Sequence, residues 1–96
     1  MIKHVVFANF KPETTGEQRR EIIKDLEGLP ARIDCIRDLS VGLNVVESKR
    51  AWDFALVVSF DDLSALDVYA NHPAHAPVKE KVAAICKDVG AVDFEC

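Results

Sequence analysis

The segment Trp52–Phe60, WDFALVVSF, is the most apolar stretch of the chain and decides how the rest is arranged. Large hydrophobic side chains fill one alternation register, and alanine and valine occupy part of the other register. A period of two residues with apolar side chains in both registers predicts a β-strand that is covered on both faces. We therefore place this segment at the centre of a sheet.

Three other segments are predicted to form strands beside it. Ile2–Phe10 is also apolar in both registers, whereas Ile36–Val45 alternates between one apolar and one polar face. The short segment Ala91–Glu95, which follows the helix-ending Gly90, is the predicted last strand. Both long apolar segments should have covered faces, and Ile36–Val45 should have one face in contact with water.

Helical patterns fill the two intervals between these strands. Thr14 and Glu17 have the spacing of a capping box and predict the start of the first helix. Asp61 or Asp62 is the predicted N-cap of the second helix. Pro73 lacks an amide donor and disfavours helical geometry in the residue before it, so this second helix should break there and resume beyond it.

The resulting order is strand, helix, strand, strand, helix, strand, which is the βαββαβ order of the ferredoxin-like α+β fold. The 96 residues are expected to form a single domain spanning 1–96. Both helical connections of such a fold pack on one side of the sheet. The opposite side would then expose an apolar face, and we expect a homodimer that closes two sheets face to face.

Composition narrows the function classes. The chain has 16 acidic and 12 basic residues and a net charge of −4, so a nucleic-acid partner is not expected. Its apolar runs fall short of the ~20 residues that cross a bilayer. The 3 cysteines contain no Cys-x-x-Cys pair, which favours a reducing cytoplasm over a disulfide framework or a zinc site. No cofactor-binding motif or metal-ligand pattern is present, so neither a cofactor nor a dedicated metal site is predicted; a divalent ion at the surface stays an open alternative.

The chemistry is concentrated in Tyr69–His75, YANHPAH. His75 is the best acid–base candidate because imidazole titrates near neutral pH; alternatively, it binds a backbone carbonyl or caps the resumed helix. The Tyr69 phenol could stabilise negative charge on a carbonyl oxygen, or the residue could be part of the core. His72 is chiefly a helix-terminus residue with a secondary role at a ligand pocket.

Two residues outside this stretch complete the predicted site. His4 lies among apolar residues of the first strand, where an imidazole needs a hydrogen-bond partner such as His75 or a water molecule. This position alone favours a structural role for His4 over direct catalysis. Trp52, beside Asp53, is predicted to line the mouth of the ligand pocket, although dimer packing would explain it equally well.

Several of these segments together resemble the stress-responsive dimeric A/B-barrel (Dabb) family. The matching residues are Met1–Val6, Val41-Gly42, Ala55–Phe60, Tyr69, His72–His75 and Val92–Glu95. The resemblance implies a ferredoxin-like protomer and a dimeric α+β barrel. One characterised class of the family, the olivetolic acid cyclases, uses a tyrosine and a histidine that match Tyr69 and His75, with a further histidine corresponding to His4. The resemblance therefore implies that these three residues are catalytic.

Three functions follow as hypotheses. The first is a pocket for a small, partly apolar carbonyl compound, used by a cofactor-independent cyclase, lyase or isomerase. The second is a non-catalytic, stress-associated binding or interaction protein in which the same residues only complete the helix and the loop. The third, drawn from fold analogy alone, is a cofactor-independent monooxygenase.

Overall fold

The computed structural model describes residues 1–96 and contains a four-stranded antiparallel sheet with helices packed against it. The strands lie in the order β2-β3-β1-β4, so β3, which begins within the segment WDFALVVSF, is central as predicted. The ferredoxin-like order is confirmed, with the second helical region split in two. The elements are β1 Ile2–Phe10, α1 Gly16–Glu27, a 3-10 turn Leu29–Ala31, β2 Asp38–Leu43, β3 Phe54–Phe60, α2 Leu63–Ala70, α3 Ala76–Ile85 and β4 Cys86–Glu95.

The first helix is capped one residue later than the sequence pattern predicted. Thr15 accepts a hydrogen bond from the Gln18 amide at 3.1 Å, and its own amide donates to Gln18 Oε1 at 2.9 Å. The capping box is therefore Thr15 with Gln18, and the prediction of Thr14 with Glu17 was wrong. Thr14 is buried instead, and its hydroxyl donates to the Ile85 carbonyl at 2.9 Å.

The predicted break at Pro73 is confirmed, because α2 ends at Ala70 and α3 begins at Ala76. Of the two proposed N-caps for α2, Asp62 is the one used, and its carboxylate accepts from the Ala65 amide at 2.9 Å. The last strand begins at Cys86, so Gly90 does not separate helix from strand as predicted. It lies inside β4 opposite Phe7, where an added Cβ would overlap the phenylalanine ring.

The two faces of the sheet have different surroundings. Even-numbered residues of β1 and β3 form a buried core with the helices, which includes Ile2, Ala8, Phe10, Phe54, Leu56, Val58, Phe60, Ile22, Leu26, Tyr69 and Val78. The register places Val5 beside Val57 and Val92 on the opposite side, which we call the open face. Val92 and Phe94 remain 52% and 45% exposed there. None of the helices combines the length and hydrophobicity needed to span a membrane.

Candidate functional site

A cavity of about 410 Å³ lies between the sheet and the helices, bordered mainly by α2 and α3. Of its 14 lining residues, 11 are hydrophobic, and the remaining three carry nitrogen groups: His4, His75 and Lys79. The hydrophobic lining residues are Val6, Leu26, Phe54, Leu56, Leu66, Tyr69, Ala70, Val78, Val82, Ala83 and Val89. The cavity thus brings together the three residues that the sequence resemblance implied were catalytic.

The Tyr69 side chain lines this cavity, and its phenolic hydroxyl has no hydrogen-bond partner in the protein. The residue is 1% exposed, and its ring lies 4.1 Å from the His75 ring and 5.1 Å from the Phe60 ring, measured between centroids. Its hydroxyl is buried and makes no hydrogen bond to any protein atom. Burial raises the pKa of Tyr69 to about 12. The phenol therefore stays protonated near neutral pH and has a free donor.

His75 lies on the other side of the Pro73 break and folds back onto Tyr69. Its Nδ1 is 3.1 Å from the Tyr69 carbonyl oxygen. Because a carbonyl can only accept, Nδ1 carries the proton, and in the neutral ring the lone pair lies on Nε2. Burial lowers the pKa of His75; the bond to the Tyr69 carbonyl opposes this shift, and the positive charge of Lys79 reinforces it. The arrangement favours a neutral imidazole whose Nε2 can accept a proton.

His4 obtains its hydrogen-bond partner from the last strand. The register places it directly opposite Asp93, whose carboxylate accepts a hydrogen bond from His4 Nδ1. The His4 ring meets the Tyr69 ring edge to face, with centroids 5.9 Å apart. The need for a partner was predicted correctly, but the partner is a carboxylate and not His75 or water. Sequence reasoning missed Asp93, which only the pairing of β1 with β4 brings into position.

The two residues predicted at the ligand pocket, His72 and Trp52, lie outside the cavity. His72 Nδ1 accepts from the Ala74 amide at 3.0 Å and so stabilises the break between α2 and α3. Trp52 packs edge to face on Phe7 with centroids 4.8 Å apart. Since Phe7 belongs to the open face, Trp52 is on the opposite side of the sheet from the cavity.

No group of three or more histidine, cysteine or acidic side chains is arranged to hold a metal ion. The polar groups at the site are the Tyr69 donor, the His75 acceptor, the His4–Asp93 pair and the Lys79 ammonium. A donor beside a proton acceptor in an apolar cavity suits the stabilisation of charge on a ligand oxygen together with proton transfer.

Comparison with known proteins identifies the family. Residues 2–96 match the family model described as Stress responsive A/B Barrel Domain. The chain belongs to this family. A stress-response A/B barrel domain-containing protein of Arabidopsis thaliana is 31% identical over 96 residues, covering 98% of this chain and 36% of the plant protein. The chain thus spans little more than a third of that relative's length.

Two further relatives of this A/B barrel chain are informative. Olivetolic acid cyclase of Cannabis sativa is 28% identical over 76 residues, covering 77% of this chain and 75% of the cyclase. A solved structure from Bacteroides fragilis, described as a dimeric protein of unknown function with a ferredoxin-like fold, is 30% identical. It superposes with a TM-score of 0.84 and covers 99% of this chain and 95% of the other.

Proposed function

We propose that this A/B barrel chain binds a small, partly apolar carbonyl compound in the cavity and acts on it as a cofactor-independent cyclase, lyase or isomerase. The observation that carries the proposal is the buried Tyr69 hydroxyl, which has no protein partner and lies beside the His75 ring. An unsatisfied buried hydroxyl costs roughly 1–3 kcal/mol, so its retention calls for an explanation. A carbonyl oxygen on a bound ligand would satisfy it.

In the proposed reaction, His75 Nε2 removes a proton from the carbon next to the ligand carbonyl. The electron pair of the broken C–H bond moves onto the carbonyl oxygen, and Tyr69 stabilises the resulting enolate by donating a hydrogen bond. The protonated His75 then returns the proton to the product. General base catalysis contributes about 10²–10⁴-fold, and one oxyanion donor about 10²–10³-fold.

His4 and Asp93 support this pair. The Asp93 carboxylate fixes which His4 nitrogen carries the proton, and the His4 ring packs against the Tyr69 ring in a T-shaped arrangement. His4 thereby holds the phenol in place or orients the ligand next to it. The mostly apolar lining lowers the local dielectric around the enolate oxygen, which strengthens each of these electrostatic interactions.

The size of the cavity restricts the ligand. Its volume of about 410 Å³ is in the lower part of the ~300–1,000 Å³ range of small-molecule sites. The mostly hydrophobic lining favours a short aliphatic or single-ring compound with one polar end. These features support a small carbonyl compound over a nucleotide or a peptide.

The proposal includes a homodimer formed through the open face. Val5, Phe7, Val57, Val92 and Phe94 form an apolar surface there that no helix covers. Burial of this surface against a second copy would remove it from water, and the Bacteroides fragilis relative is described as dimeric. Light scattering at micromolar concentration should give the dimer mass.

A charged side chain on the open face tests this assembly. Val57→Lys should give a monomer, whereas Val45→Lys, at a loop valine that is 92% exposed, should remain dimeric. A monomeric wild-type protein, or a dimer that survives Val57→Lys unchanged, would contradict dimerisation through the open face.

The proposed chemistry can be tested without knowledge of the natural substrate. Cyclohexanone in D₂O exchanges the protons next to its carbonyl when a base removes them, and NMR follows the loss of signal. We expect the protein to accelerate exchange, and we expect His75→Ala and Tyr69→Phe each to lower that acceleration by about 10²-fold. His72→Asn, a change in the same segment but outside the cavity, is the matched control and should leave the exchange rate unchanged.

A non-catalytic binding protein is the second candidate. The mostly hydrophobic cavity and the similarity to the Arabidopsis thaliana relative, which is named as a stress-response protein, both favour it. In that case cyclohexanone would bind, but its exchange rate would equal the rate in buffer and would not respond to His75→Ala.

A further inference from the structure

The cavity lining includes one ammonium group and no carboxylate; the Asp93 carboxylate lies behind the lining and is bound to His4. No aspartate or glutamate is among the lining residues, and Lys79 is the only lysine or arginine. Lys79 is exposed, so its ammonium lies at the rim, where a ligand can reach it without burying the charge. The chain as a whole has a net charge of −4, so this local positive charge is opposite to the overall balance.

Lys79 is held in position by both helices beside the cavity. Its backbone amide donates to the His75 carbonyl at 3.0 Å, and its Nζ donates to the Ala70 carbonyl at the end of α2, also at 3.0 Å. An ammonium group has three donors, so two remain after the bond to Ala70. Because Lys79 follows His75 by four residues, the two side chains project from the same face of the chain, with Cβ atoms roughly 5–6 Å apart.

The geometry points to a ligand that carries a carboxylate, which binds Lys79 while the ligand carbonyl accepts from Tyr69. This inference rests on the proposed function and names its substrate class as a short, partly apolar oxo acid. One ammonium with two free donors matches a single negative charge. A ligand with several negative charges would meet only this one cation in a protein whose overall charge repels it.

Two small probe molecules distinguish the contribution of ligand charge to binding from that of ligand shape. Hexanoate and hexanamide have similar size, and only the first is an anion. Chemical-shift titration of the full chain should show that hexanoate binds at the cavity roughly 2- to 5-fold more tightly than hexanamide, the modest range expected for an exposed charged partner. The difference should shrink as salt is added, because the interacting charges are at the surface.

Lys79→Met should abolish the preference for hexanoate, and Lys79→Arg should retain it. Lys81→Met is the matched control, since it removes the same charge from the same helix. Lys81 binds Glu21 and Asp25 and does not line the cavity, so this variant should keep the preference.

The outcomes distinguish this inference from the proposed function. Equal binding of the two probes, binding of neither probe at the cavity, or a preference that survives Lys79→Met would overturn the carboxylate inference. Cyclohexanone exchange that depends on His75 and Tyr69 would still support the proposed chemistry in those cases. Conversely, a Lys79-dependent preference without any exchange activity would support an oxo-acid binding protein and contradict the enzyme.

Discussion

Removal of the Tyr69 hydroxyl should stabilise the protein and at the same time impair its activity. In most proteins the loss of a buried tyrosine hydroxyl is destabilising, because the group had a hydrogen-bond partner. Here the hydroxyl has no protein partner and the residue is 1% exposed. Tyr69→Phe therefore removes a desolvation penalty without breaking a bond within the protein.

The magnitude follows from the cost of an unsatisfied buried polar group, about 1–3 kcal/mol. We take the lower end, ~1 kcal/mol, because the hydroxyl lies in a cavity that water can enter. For a domain of this size, that increase corresponds to a rise in melting temperature of about 4–8 °C. The same substitution should lower turnover by about 10²–10³-fold, since it removes the only phenolic donor in the cavity.

Thermal and urea unfolding followed by circular dichroism measures the first effect, at one fixed protein concentration because a dimer's stability depends on it. Thr14→Val is the matched control: its buried hydroxyl donates to the Ile85 carbonyl at 2.9 Å, and its loss should cost about 1 kcal/mol. The two hydroxyl deletions should thus change stability in opposite directions. If Tyr69→Phe destabilised the protein as much as Thr14→Val does, the idea of an unpartnered phenol would be refuted.

Three further predictions concern titration and packing. Tyr69 is the only tyrosine, so phenolate absorbance should give a midpoint of about 12 in the folded protein; a midpoint near 10 would contradict its burial. The folded-state pKa of His75 lies below its usual 6.5, so stability should fall as pH drops from 6.5 towards that lower pKa, and His75→Gln should lose this component of the urea-midpoint profile. Gly90→Ala should cost about 1–3 kcal/mol in urea unfolding through the clash with Phe7, whereas Gly42→Ala, with no atom within 4 Å, should not; equal effects would disprove the clash.

The strands and helices, and their order along the chain, could be predicted from the sequence because they depend on local patterns. The most apolar segment, WDFALVVSF, identified the central strand β3, and Pro73 identified the break between α2 and α3. Two predictions were wrong, the N-cap of α1 and the role of Gly90. In the first case two neighbouring residues fitted the same local pattern, and in the second the cause is a contact with a residue distant in sequence. Thr14 and Thr15 both have a suitable residue three positions later, and only packing against Ile85 decides between them. A Cβ at position 90 would overlap the Phe7 ring, and the residues around Gly90 in the sequence do not indicate this contact.

The candidate site, like the fold, was predictable where it depends on residues close in sequence and not where it depends on strand pairing. Tyr69 and His75 flank Pro73, so a short reversal of the chain brings them together. The His4–Asp93 pair depends on strand register across 89 positions of sequence, and no local signal indicates it. Trp52 was assigned to the pocket because it continues the alternation of β3. That strand begins only at Phe54, and before it the chain turns so that Trp52 contacts the open face.

The most direct test of the central claim is the position of a bound carbonyl oxygen relative to the Tyr69 hydroxyl. A crystal structure of the protein with a short oxo acid such as 4-oxopentanoate would give this distance. We expect the ketone oxygen to lie about 2.7–3.1 Å from Tyr69 Oη, with His75 Nε2 facing the adjacent carbon. A ligand whose carbonyl points away from Tyr69, or a His75 ring with Nε2 turned into the core, would contradict this expectation.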